Sequence, residues 1–347
     1  MAPLRIIVGD THVPFVEGGA ELHVRSLVHQ LNARGHETEL FAVPFNPQAK
    51  AELLSQAQAW RLLNFRETNG RPVDLFIATR FPSYFAKHPR KTAWIIHQHR
   101  AAYELAGTVY SDFQHTAGDV AIRKTLIEAD TAMLRECRRV FANAGNTAAR
   151  LKKYNGIDAE PLYHPPPLAD RINSGPYGDY VLSVGRLEAI KRVEIAVRAL
   201  QFAKKEIRLV IVGEGSHRPE IERLVAETGV ADRVRLAGRA TEEELLELYQ
   251  KALAVVYPPY DEDFGYVTLE AFLAAKPVLT ARDSGGPLEF VVDGVNGFVC
   301  DPDPQSFGAA INRLGADPAL AARFGAAGYE RARSISWDGV IEKLLAA

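Results

Sequence analysis

Residues 180–215 carry the sequence YVLSVGRLEAIKRVEIAVRALQFAKKEIRLVIVGEG. An apolar run at 180–184 and a second one at 209–212 have the length and composition of buried strands. Between them, the segment 191–203 carries apolar residues at helical spacing. A strand, a helix and a second strand in this order indicate a parallel sheet that is covered by helices.

The same alternation continues on both sides of this stretch. Short apolar runs alternate with helical segments before residue 165, and the pattern restarts at residue 180. The stretch 166–179 is rich in proline and glycine, which predicts an interdomain linker. A chain of 347 residues also exceeds the roughly 250 to 300 residues at which a single core stops growing. We therefore predict two doubly wound, Rossmann-like α/β domains, 1–165 and 180–329, that face each other across a cleft.

Composition excludes several classes of protein. Apolar residues make up 47 %, charged residues 24 %, and the formal net charge is −2. These values argue against disorder, a collagen-like repeat and a strongly basic nucleic-acid-binding protein. Two cysteines, Cys137 and Cys300, are too few for a disulfide framework or a four-thiolate zinc site. The sequence shows neither a secretory signal nor a run of about 18 apolar residues, so we expect a cytoplasmic protein.

Charge is distributed unevenly along the chain. Residues 1–165 hold 20 Lys and Arg against 16 Asp and Glu, whereas the remainder holds 21 against 27. Eight of the basic residues lie within 121–153. A solvated helix face explains this run, and docking on an anionic lipid or an acidic acceptor is the alternative. Peripheral contact with the inner face of a membrane is therefore one expectation for the basic N-terminal domain.

Loops that follow predicted strands carry glycine pairs and cations. Ligands of open parallel sheets bind beyond the carboxyl ends of the strands. The pair Gly18–Gly19 precedes a helix whose first N–H groups could hold an anion, although a plain turn also uses glycine. Gly285–Gly286 repeats this pattern in the second half. Arg186 and Lys191 lie around a helix start, where an anionic ligand would relieve their repulsion from the helix dipole; solvated surface cations are the alternative.

Two glutamates lie in the segment that follows the strand at 254–257. If this segment were one helix, Glu262 and Glu270 would be roughly 12 Å apart, which exceeds the about 5 to 9.5 Å of a glycosidase carboxylate pair. We expect them to contact different parts of one elongated ligand, with the amide of Gly265 between them. An acidic first helical turn would explain Glu262 but not Glu270, whose neighbours are apolar.

His97 and His99 follow the strand at 93–96 and lie on one face of it. They could chelate a metal ion, but the sequence offers no third ligand nearby, so we predict no metal site. A histidine at this place is more useful as a hydrogen-bonding or polarising group. Nor is a nicotinamide cofactor expected, because Arg218 stands where the glycine fingerprint that begins at Gly213 needs its third glycine.

In their order along the chain, these segments resemble the retaining family-4 glycosyltransferases of the GT-B fold. The resemblance covers nearly the whole chain and is carried by Gly18-Gly19-Ala20-Glu21, Gly185-Arg186-Leu187 with Lys191, Tyr257-Pro258-Pro259, Glu262 to Glu270, and Gly285-Gly286. It implies transfer of a sugar from a nucleotide-diphosphate sugar to a hydroxyl acceptor, with retention, by same-face displacement and without a metal or other cofactor. It also implies a C-terminal helix, about 330–347, that packs back on the first domain.

The resemblance further implies roles for individual residues. Arg186 and Lys191 would hold the diphosphate, Glu270 the ribose hydroxyls and Glu262 the hydroxyls of the transferred sugar. His97 matches the histidine near the anomeric carbon, with His99 as the alternative. The implied catalytic residues are His97, Glu262, Arg186 and Lys191, and the implied donor-binding residues are Gly18, Gly19, Arg186, Lys191, Arg239, Glu262, Phe264, Gly265, Tyr266, Val267, Glu270, Gly285 and Gly286.

Some features stay open at this point. Arg192 stands where the family usually has glycine after the lysine, which affects the expected start of the helix. The acceptor is a glycan, a lipid-linked molecule or a small molecule, and the basic first domain favours an anionic or lipid-linked one. Two other functions fit the same motifs, a non-catalytic nucleotide-sugar-binding protein and a nucleotide-sugar epimerase of the GT-B fold.

Overall fold

The computed structural model describes residues 2–346. The chain divides into two compact units. Unit 1 comprises Met1–His164 together with Ser336–Ala347, and unit 2 comprises Pro165–Ile335. Each unit is built around one six-stranded sheet, so the predicted fold class of two Rossmann-like α/β domains is confirmed.

In unit 1, strands and helices alternate. The strands are β1 (Arg5–His12), β2 (Glu37–Pro44), β3 (Glu67–Thr68), β4 (Arg71–Pro72), β5 (Leu75–Ala78), β6 (Lys91–Ile95), β7 (Arg139–Ala142) and β8 (Glu160–Pro161). The helices that precede residue 156 are α1 (Gly19–Ala33), α2 (Leu53–Leu62), α3 (Ala117–Arg135) and α4 (Gly145–Asn155). Six strands form a parallel sheet in the order β2-β1-β5-β6-β7-β8, and β3 pairs with β4 in an antiparallel hairpin.

Unit 2 repeats this plan. Its strands are β9 (Tyr180–Val184), β10 (Arg208–Val212), β11 (Val234–Gly238), β12 (Ala254–Val256), β13 (Val278–Ala281) and β14 (Gly297–Cys300). Its helices are α5 (Val193–Ala199), α6 (Arg218–Glu227), α7 (Glu242–Lys251), α8 (Tyr266–Leu273), α9 (Pro304–Ala316) and α10 (Pro318–Ala332). The sheet is parallel with the order β11-β10-β9-β12-β13-β14. The last helix, α11 (Trp337–Leu345), belongs to unit 1.

Both faces of the unit 1 sheet are covered by helices, which explains why its central strands are apolar throughout. The four residues of β5 are fully buried. On one face, Leu27 and Leu31 of α1 share a cluster with Leu344 of α11. On the other face, Trp60 of α2 shares a cluster with Leu134 of α3. The C-terminal helix therefore completes one of the two hydrophobic layers of unit 1.

The segment 166–179, which we expected to be a linker, belongs to unit 2 and packs against its other residues. The Lys276 ammonium donates to the carbonyl oxygens of Gly175 and Pro176, at 2.9 and 2.8 Å. The hydroxyl of Tyr177 donates to the carbonyl of Ala275 at 2.8 Å. Its proline and glycine residues therefore shape a packed extension of unit 2.

One helix of unit 2 is shorter than its periodicity indicates. We predicted a helix over 191–203, but α5 is preceded by a separate 3-10 turn, Ala189–Lys191. Arg192, between the two, has a left-handed backbone with φ 51° and ψ 40°. Residues other than glycine rarely adopt this backbone conformation, and it interrupts the helix at Arg192. As a result, Lys191 lies in the loop after β9 and not in α5.

Each sheet has a point at which the chain reverses its direction of winding. In unit 2, β10 and β11 lie on one side of β9, whereas β12, β13 and β14 lie on the other. In unit 1, the reversal falls between β1 and β5. In parallel sheets, ligands bind beyond the carboxyl ends of the two strands at such a point. A ligand site is therefore expected at the loops after β9 and β12 in unit 2 and at the loops after β1 and β5 in unit 1.

Within the described residues, 2–346, no helix is both long enough and apolar enough to cross a membrane.

Unit 1 contains a buried carboxyl group, Asp130 of α3, that makes its stability depend on pH. Tyr103 donates a hydrogen bond from its hydroxyl to Oδ2 of Asp130 at 2.5 Å. Burial raises the pKa of Asp130 to about 7, and the hydrogen bond from Tyr103 only partly opposes this shift. The folded chain therefore binds more protons at this site than the unfolded chain does.

We expect the Asp130 contribution to stability to be fully present below the unfolded pKa of about 3.8 and lost as pH rises through about 7. Asp130→Asn keeps the shape of the side chain and an oxygen that accepts the Tyr103 hydrogen bond, but it cannot ionise. As pH rises through this range, the free energy of unfolding should therefore fall less for Asp130→Asn than for the wild type. Each pKa unit corresponds to about 1.4 kcal/mol. Urea unfolding from pH 4 to 8 measures this difference, and parallel curves for the two proteins would contradict it.

Candidate functional site

The unit 2 site is built from the loops that leave β9 and β12, the two strands at its switch point. The loop after β9 carries Arg186 and Lys191, and the loop after β12 carries Glu262. The amide of Tyr260 donates to the carbonyl of Ile190 at 2.8 Å, which joins the two loops directly. Residues that are about 70 positions apart in sequence thus share one edge of the sheet, as predicted for a ligand site.

Lys191 and Glu262 form an ion pair at this edge. The ammonium of Lys191 contacts Oε2 of Glu262, and the two side chains are 17 % and 16 % exposed. Lys191 Nζ also lies 5.9 Å from the ring centroid of Tyr257. Burial, together with the charge and hydrogen bond of Glu262, raises the pKa of the Tyr257 hydroxyl well above its ordinary value. Tyr257 is therefore a neutral hydroxyl beside a cation and a carboxylate.

Glu270 lies in the same region but in a different environment. It belongs to α8, and Tyr249 of α7 donates a hydrogen bond to its Oε2 at 2.7 Å. Burial raises the pKa of Glu270, and the Tyr249 hydrogen bond opposes that shift. Tyr249 was not among the predicted site residues, because its 21-residue separation from Glu270 follows no local pattern.

Glu262 and Glu270 do not lie on one helix. The helix α8 begins at Tyr266, and Gly265 before it has φ 83°, a conformation that favours glycine. Glu262 instead belongs to a loop that pairs with the loop after β13, because its amide donates to the carbonyl of Ser284 at 2.9 Å. The helical spacing of roughly 12 Å considered above therefore does not apply to this pair.

Arg186 lies in a loop that is held close to the end of β10. Its side chain is exposed. A Cβ atom at Gly213 would lie 1.9 Å from the carbonyl oxygen of Gly185, and one at Gly215 would lie 2.3 Å from that of Leu187. The Gly213-Glu214-Gly215 segment, which lacks the dinucleotide fingerprint, therefore has glycines because two loops approach closely there.

The second glycine pair, Gly285–Gly286, lies where two loops of the site pack closely. The amide of Gly286 donates to the carbonyl of Glu262 at 2.8 Å, so it is not free to hold an anion. A Cβ at Gly286 would lie 2.4 Å from the carbonyl oxygen of Asp263. Gly285 has φ 68°. The pair thus allows the loop after β13 to pack against the loop that carries Glu262, and its contact with a donor stays a prediction.

The remaining residues of the predicted donor set surround α8 or follow β11. The Phe264 ring is buried, with its centroid 5.4 Å from that of Tyr266 and 5.5 Å from that of Phe290. Val267 is buried in the first turn of α8. Arg239 is exposed directly after β11. Phe264 and Val267 therefore support the loop after β12 by packing. Arg239 is an exposed cation on the loop after β11.

In unit 1, the glycine pair lies at the start of α1. Gly18 is the N-cap residue, and it has no side chain that could cap the first-turn amides. The helix start is anchored instead by Arg80, which follows β5 and is 5 % exposed. Its guanidinium donates to Asp10 at 2.7 and 2.9 Å and to Glu21 at 2.7 Å. This buried network joins both strands of the unit 1 switch point to α1.

The structure distinguishes the two histidines after β6. His99 is buried among the rings of Phe45, Phe81 and Phe113, with centroid distances of 5.8 to 6.2 Å. Burial lowers the pKa of His99 to about 4. His97 is only partly buried, and its Nδ1 is 2.8 Å from the carbonyl oxygen of Gln98. His97 is therefore the histidine of this pair that solvent and ligands reach.

Among residues 2–346, no three His, Cys, Asp or Glu side chains are grouped closely enough to hold a metal ion.

Comparison with known proteins gives family matches for both halves of the chain. The family model described as "Glycosyltransferase Family 4" matches residues 17–167, and that described as "Glycosyl transferases group 1" matches residues 171–331. A D-inositol 3-phosphate glycosyltransferase of Acidothermus cellulolyticus is 28 % identical over 94 % of this chain and 84 % of its own length. Two further relatives of that name are matched over 59 % and 48 % of their own length.

Solved structures share the fold. A sucrose-phosphate synthase from Thermosynechococcus elongatus superimposes with a TM-score of 0.74 at 22 % identity, covering 98 % of this chain and 97 % of that one. Anabaena HepE, solved in complex with UDP and glucose, gives a TM-score of 0.71 at 18 % identity and covers 99 % of this chain and all of HepE. Because two glycosyltransferase family models together match residues 17–167 and 171–331, the chain belongs to the glycosyltransferases, with a family-4 first half and a group-1 second half.

Proposed function

We propose that this chain transfers a sugar from a nucleotide-diphosphate sugar to a hydroxyl acceptor, with retention of configuration and without a metal ion. The observation that carries the proposal is the placement of Lys191, beside Glu262, and of exposed Arg186 at the carboxyl ends of β9 and β12. A departing nucleoside diphosphate develops negative charge that placed cations stabilise. The names of the relatives and the UDP complex of HepE support a nucleotide sugar as the donor.

The residues of unit 2 suit the separate parts of such a donor. Lys191 and Arg186 would hold the diphosphate, and Glu262 would accept hydrogen bonds from hydroxyls of the transferred sugar. Glu270 would accept hydrogen bonds from the ribose hydroxyls, while Tyr249 holds its other oxygen. The first-turn amides of α8, after Gly265, would add donors to the phosphate oxygens.

In the proposed step, the bond between the anomeric carbon and the diphosphate oxygen breaks, and its electron pair goes to that oxygen. The acceptor hydroxyl oxygen forms a bond to the anomeric carbon on the same face of the sugar. Its proton passes to the departing diphosphate oxygen, so no enzyme carboxylate is consumed. The two cations act by stabilising the charge on the leaving group.

We further propose that unit 1 provides contacts to the acceptor and to phosphate through partly buried His97 and through the uncapped amides at Gly18–Gly19. An anionic group on the acceptor is favoured by an excess of positive charge here, because Arg100 after β6 and Arg150 of α4 share one carboxylate. Arg100 and Arg150 both pair with Glu104, at 2.5 and 3.0 Å. A relative named for D-inositol 3-phosphate supports an acceptor of this kind.

The proposal is tested with the purified chain and a panel of UDP-, GDP- and ADP-sugars, with and without EDTA. We expect one donor to raise the unfolding temperature, since a ligand at 100 times its Kd stabilises by about 2.7 kcal/mol. The same donor should release its nucleoside diphosphate when an acceptor such as inositol phosphate is present. NMR of the product should show the anomeric configuration of the donor.

Three results would contradict the proposal. Binding of a nucleotide sugar without nucleotide release for any acceptor would indicate a non-catalytic binding protein. An isomerised sugar formed from the donor alone would indicate an epimerase. Loss of turnover in EDTA, restored by a divalent cation, would exclude a metal-independent reaction.

Unit 1 also has a basic groove, which we propose as its contact with an anionic membrane surface. The groove has a volume of about 340 Å³, and its charged lining residues are Arg135, Arg138, Arg139, Asp158 and Glu160, so the cations are in excess. All three arginines are exposed, and Arg139 lies over the ring of Phe141 at 5.0 Å. Exposed arginines on one surface attract anionic headgroups, at about 1 kcal/mol for each residue.

We expect Arg135→Gln/Arg138→Gln to weaken co-sedimentation with vesicles of 30 % phosphatidylserine by roughly 30-fold, because two contacts of about 1 kcal/mol each are lost. The control is Arg223→Gln/Arg333→Gln, which removes the same charge from exposed sites of unit 2. Equal binding of both variants, or binding that does not depend on phosphatidylserine, would remove this part of the proposal.

A further inference from the structure

Arg192 directly follows Lys191 and has an unusual combination of properties. Its backbone is left-handed, with φ 51°, although it is not glycine. Its side chain is nevertheless buried, with 7 % of the residue exposed. A left-handed backbone strains a residue that has a Cβ, and a buried guanidinium must be paired. Both costs fall on one residue, which indicates that the side chain contributes something that glycine could not.

The guanidinium of Arg192 contacts two other loops of the site. Nε donates to the carbonyl of Pro258 and Nη2 to that of Pro259, each at 2.8 Å. Nη1 donates to Oδ2 of Asp283 at 2.8 Å, and Nη2 donates to Oδ1 at 2.5 Å. Four of its five N–H groups are therefore engaged. Arg192 binds protein groups through this fork and is not a candidate phosphate ligand.

Each contact of Arg192 is close to a residue of the proposed donor site. Lys191 is its immediate neighbour on the loop after β9. Pro258 and Pro259 lead to Glu262, and Asp283 leads to Gly285–Gly286. The backbone reinforces the same junction, because the amide of Asp261 donates to the carbonyl of Asp283 at 2.8 Å. One side chain thus connects the loops after β9, β12 and β13.

We propose that Arg192 is a positioning residue of the donor site, which holds the loops of Lys191 and Glu262 in their mutual geometry through its fork to Pro258, Pro259 and Asp283. This inference rests on the proposed function, because the loops that it orders are those assigned to the donor. Arg192 acts through Lys191 and Glu262 and does not touch the donor itself. A planar guanidinium suits this task, since it binds a carboxylate in a fixed bidentate geometry.

The variant Arg192→Gly distinguishes two hypotheses. Either Arg192 positions the loops through its side chain, or it only occupies a left-handed turn, and the two hypotheses predict different effects on ligand binding. If only the turn matters, glycine relieves the strained φ, and ligand binding stays at the wild-type level. If Arg192 positions the loops, glycine keeps the turn but loses the fork. We expect Arg192→Gly to bind its nucleoside diphosphate at least tenfold more weakly, measured by calorimetry with UDP, GDP and ADP as probes.

The variant Asp283→Asn tests the same fork from its other end and leaves the backbone of Arg192 unchanged. We expect weaker binding here too, and the double variant Arg192→Gly/Asp283→Asn should bind no more weakly than Arg192→Gly alone. If Arg192→Gly does not fold, Asp283→Asn and Arg192→Lys carry the test with the same expectation. Wild-type affinity in the folded variants would overturn the inference.

A matched control shows whether the effect concerns the site or only stability. Lys276→Gln removes another cation of unit 2 that donates to two backbone carbonyls, those of Gly175 and Pro176. We expect it to lower the unfolding temperature without weakening diphosphate binding by the folded protein. If Lys276→Gln weakens binding as much as Arg192→Gly does, the positioning role is wrong. If the wild type binds none of the probes and no nucleotide sugar, the proposed function itself fails. If the wild type binds a probe and Arg192→Gly binds it equally well, only the positioning role fails.

Discussion

Lys191→Met is expected to lower kcat for sugar transfer by about 100- to 1000-fold, the effect of removing one placed donor from a developing negative charge. The ammonium lies at the carboxyl end of β9 beside Glu262, where a diphosphate leaving group would accumulate charge. Methionine has a similar length and no charge. The measurement is steady-state release of nucleoside diphosphate from the preferred donor.

The ion pair with Glu262 requires a second variant. Lys191→Met leaves the Glu262 carboxylate without this cation, and a carboxylate without its cation could itself disturb the site. The double variant Lys191→Met/Glu262→Gln removes both charges. We expect the loss of kcat to persist in the double variant, because the missing cation on the leaving group causes it.

Lys205→Met is the control, since Lys205 is an exposed lysine of unit 2 outside the site. It should retain wild-type kcat and wild-type stability. Wild-type turnover in Lys191→Met, or recovery of turnover in the double variant, would show that Lys191 does not stabilise the leaving group.

Glu270→Gln is expected to weaken donor binding by roughly 10- to 150-fold, because hydrogen bonds to a charged acceptor contribute about 1.5 to 3 kcal/mol. Glu270 has one oxygen bound by Tyr249, and its carboxylate would accept the ribose hydroxyls. The matched control is Glu227→Gln, at an exposed glutamate of α6. Donor affinity at several pH values is the measurement.

The pH dependence gives this prediction a distinct signature. Burial raises the pKa of Glu270, so its carboxylate is protonated at a higher pH than an ordinary glutamate is. Donor affinity of the wild type should therefore fall as pH decreases through this raised pKa. In Tyr249→Phe, the loss of the stabilising hydrogen bond should move the fall to still higher pH. Glu270→Gln should show no such fall, and a fall identical to that of the wild type would assign it to another group.

Local patterns were sufficient for the fold class and for the approximate place of the site. Alternating apolar runs and helical periods report which residues face the core, and parallel sheets place their ligands at the carboxyl ends of the strands. We therefore expected Arg186 and Lys191 around the helix start that follows the strand at 180–184, and Glu262 in the segment that follows the strand at 254–257. The structure places these residues on loops that leave β9 and β12.

Local sequence patterns were misleading where a contact with a distant loop determines the backbone conformation. The periodicity of 191–203 predicted a continuous helix, but the left-handed Arg192 separates Lys191 from α5. The glycine pair at 285–286 has the sequence of an anion loop, yet the amide of Gly286 is bonded to Glu262. In both cases a contact with a distant loop determines the local conformation.

The sequence by itself determined two Rossmann-like domains and the residue types available at their loops, because apolar periodicity and chain breakers act over only a few residues. Tertiary structure decided which of those residues meet. It buried His99 among aromatic rings and left His97 accessible, paired Tyr249 with Glu270, and brought Arg192 to Asp283 across 91 residues. Such contacts form only when separate loops close on one another at a sheet edge, so their geometry depends on the packing of the whole domain.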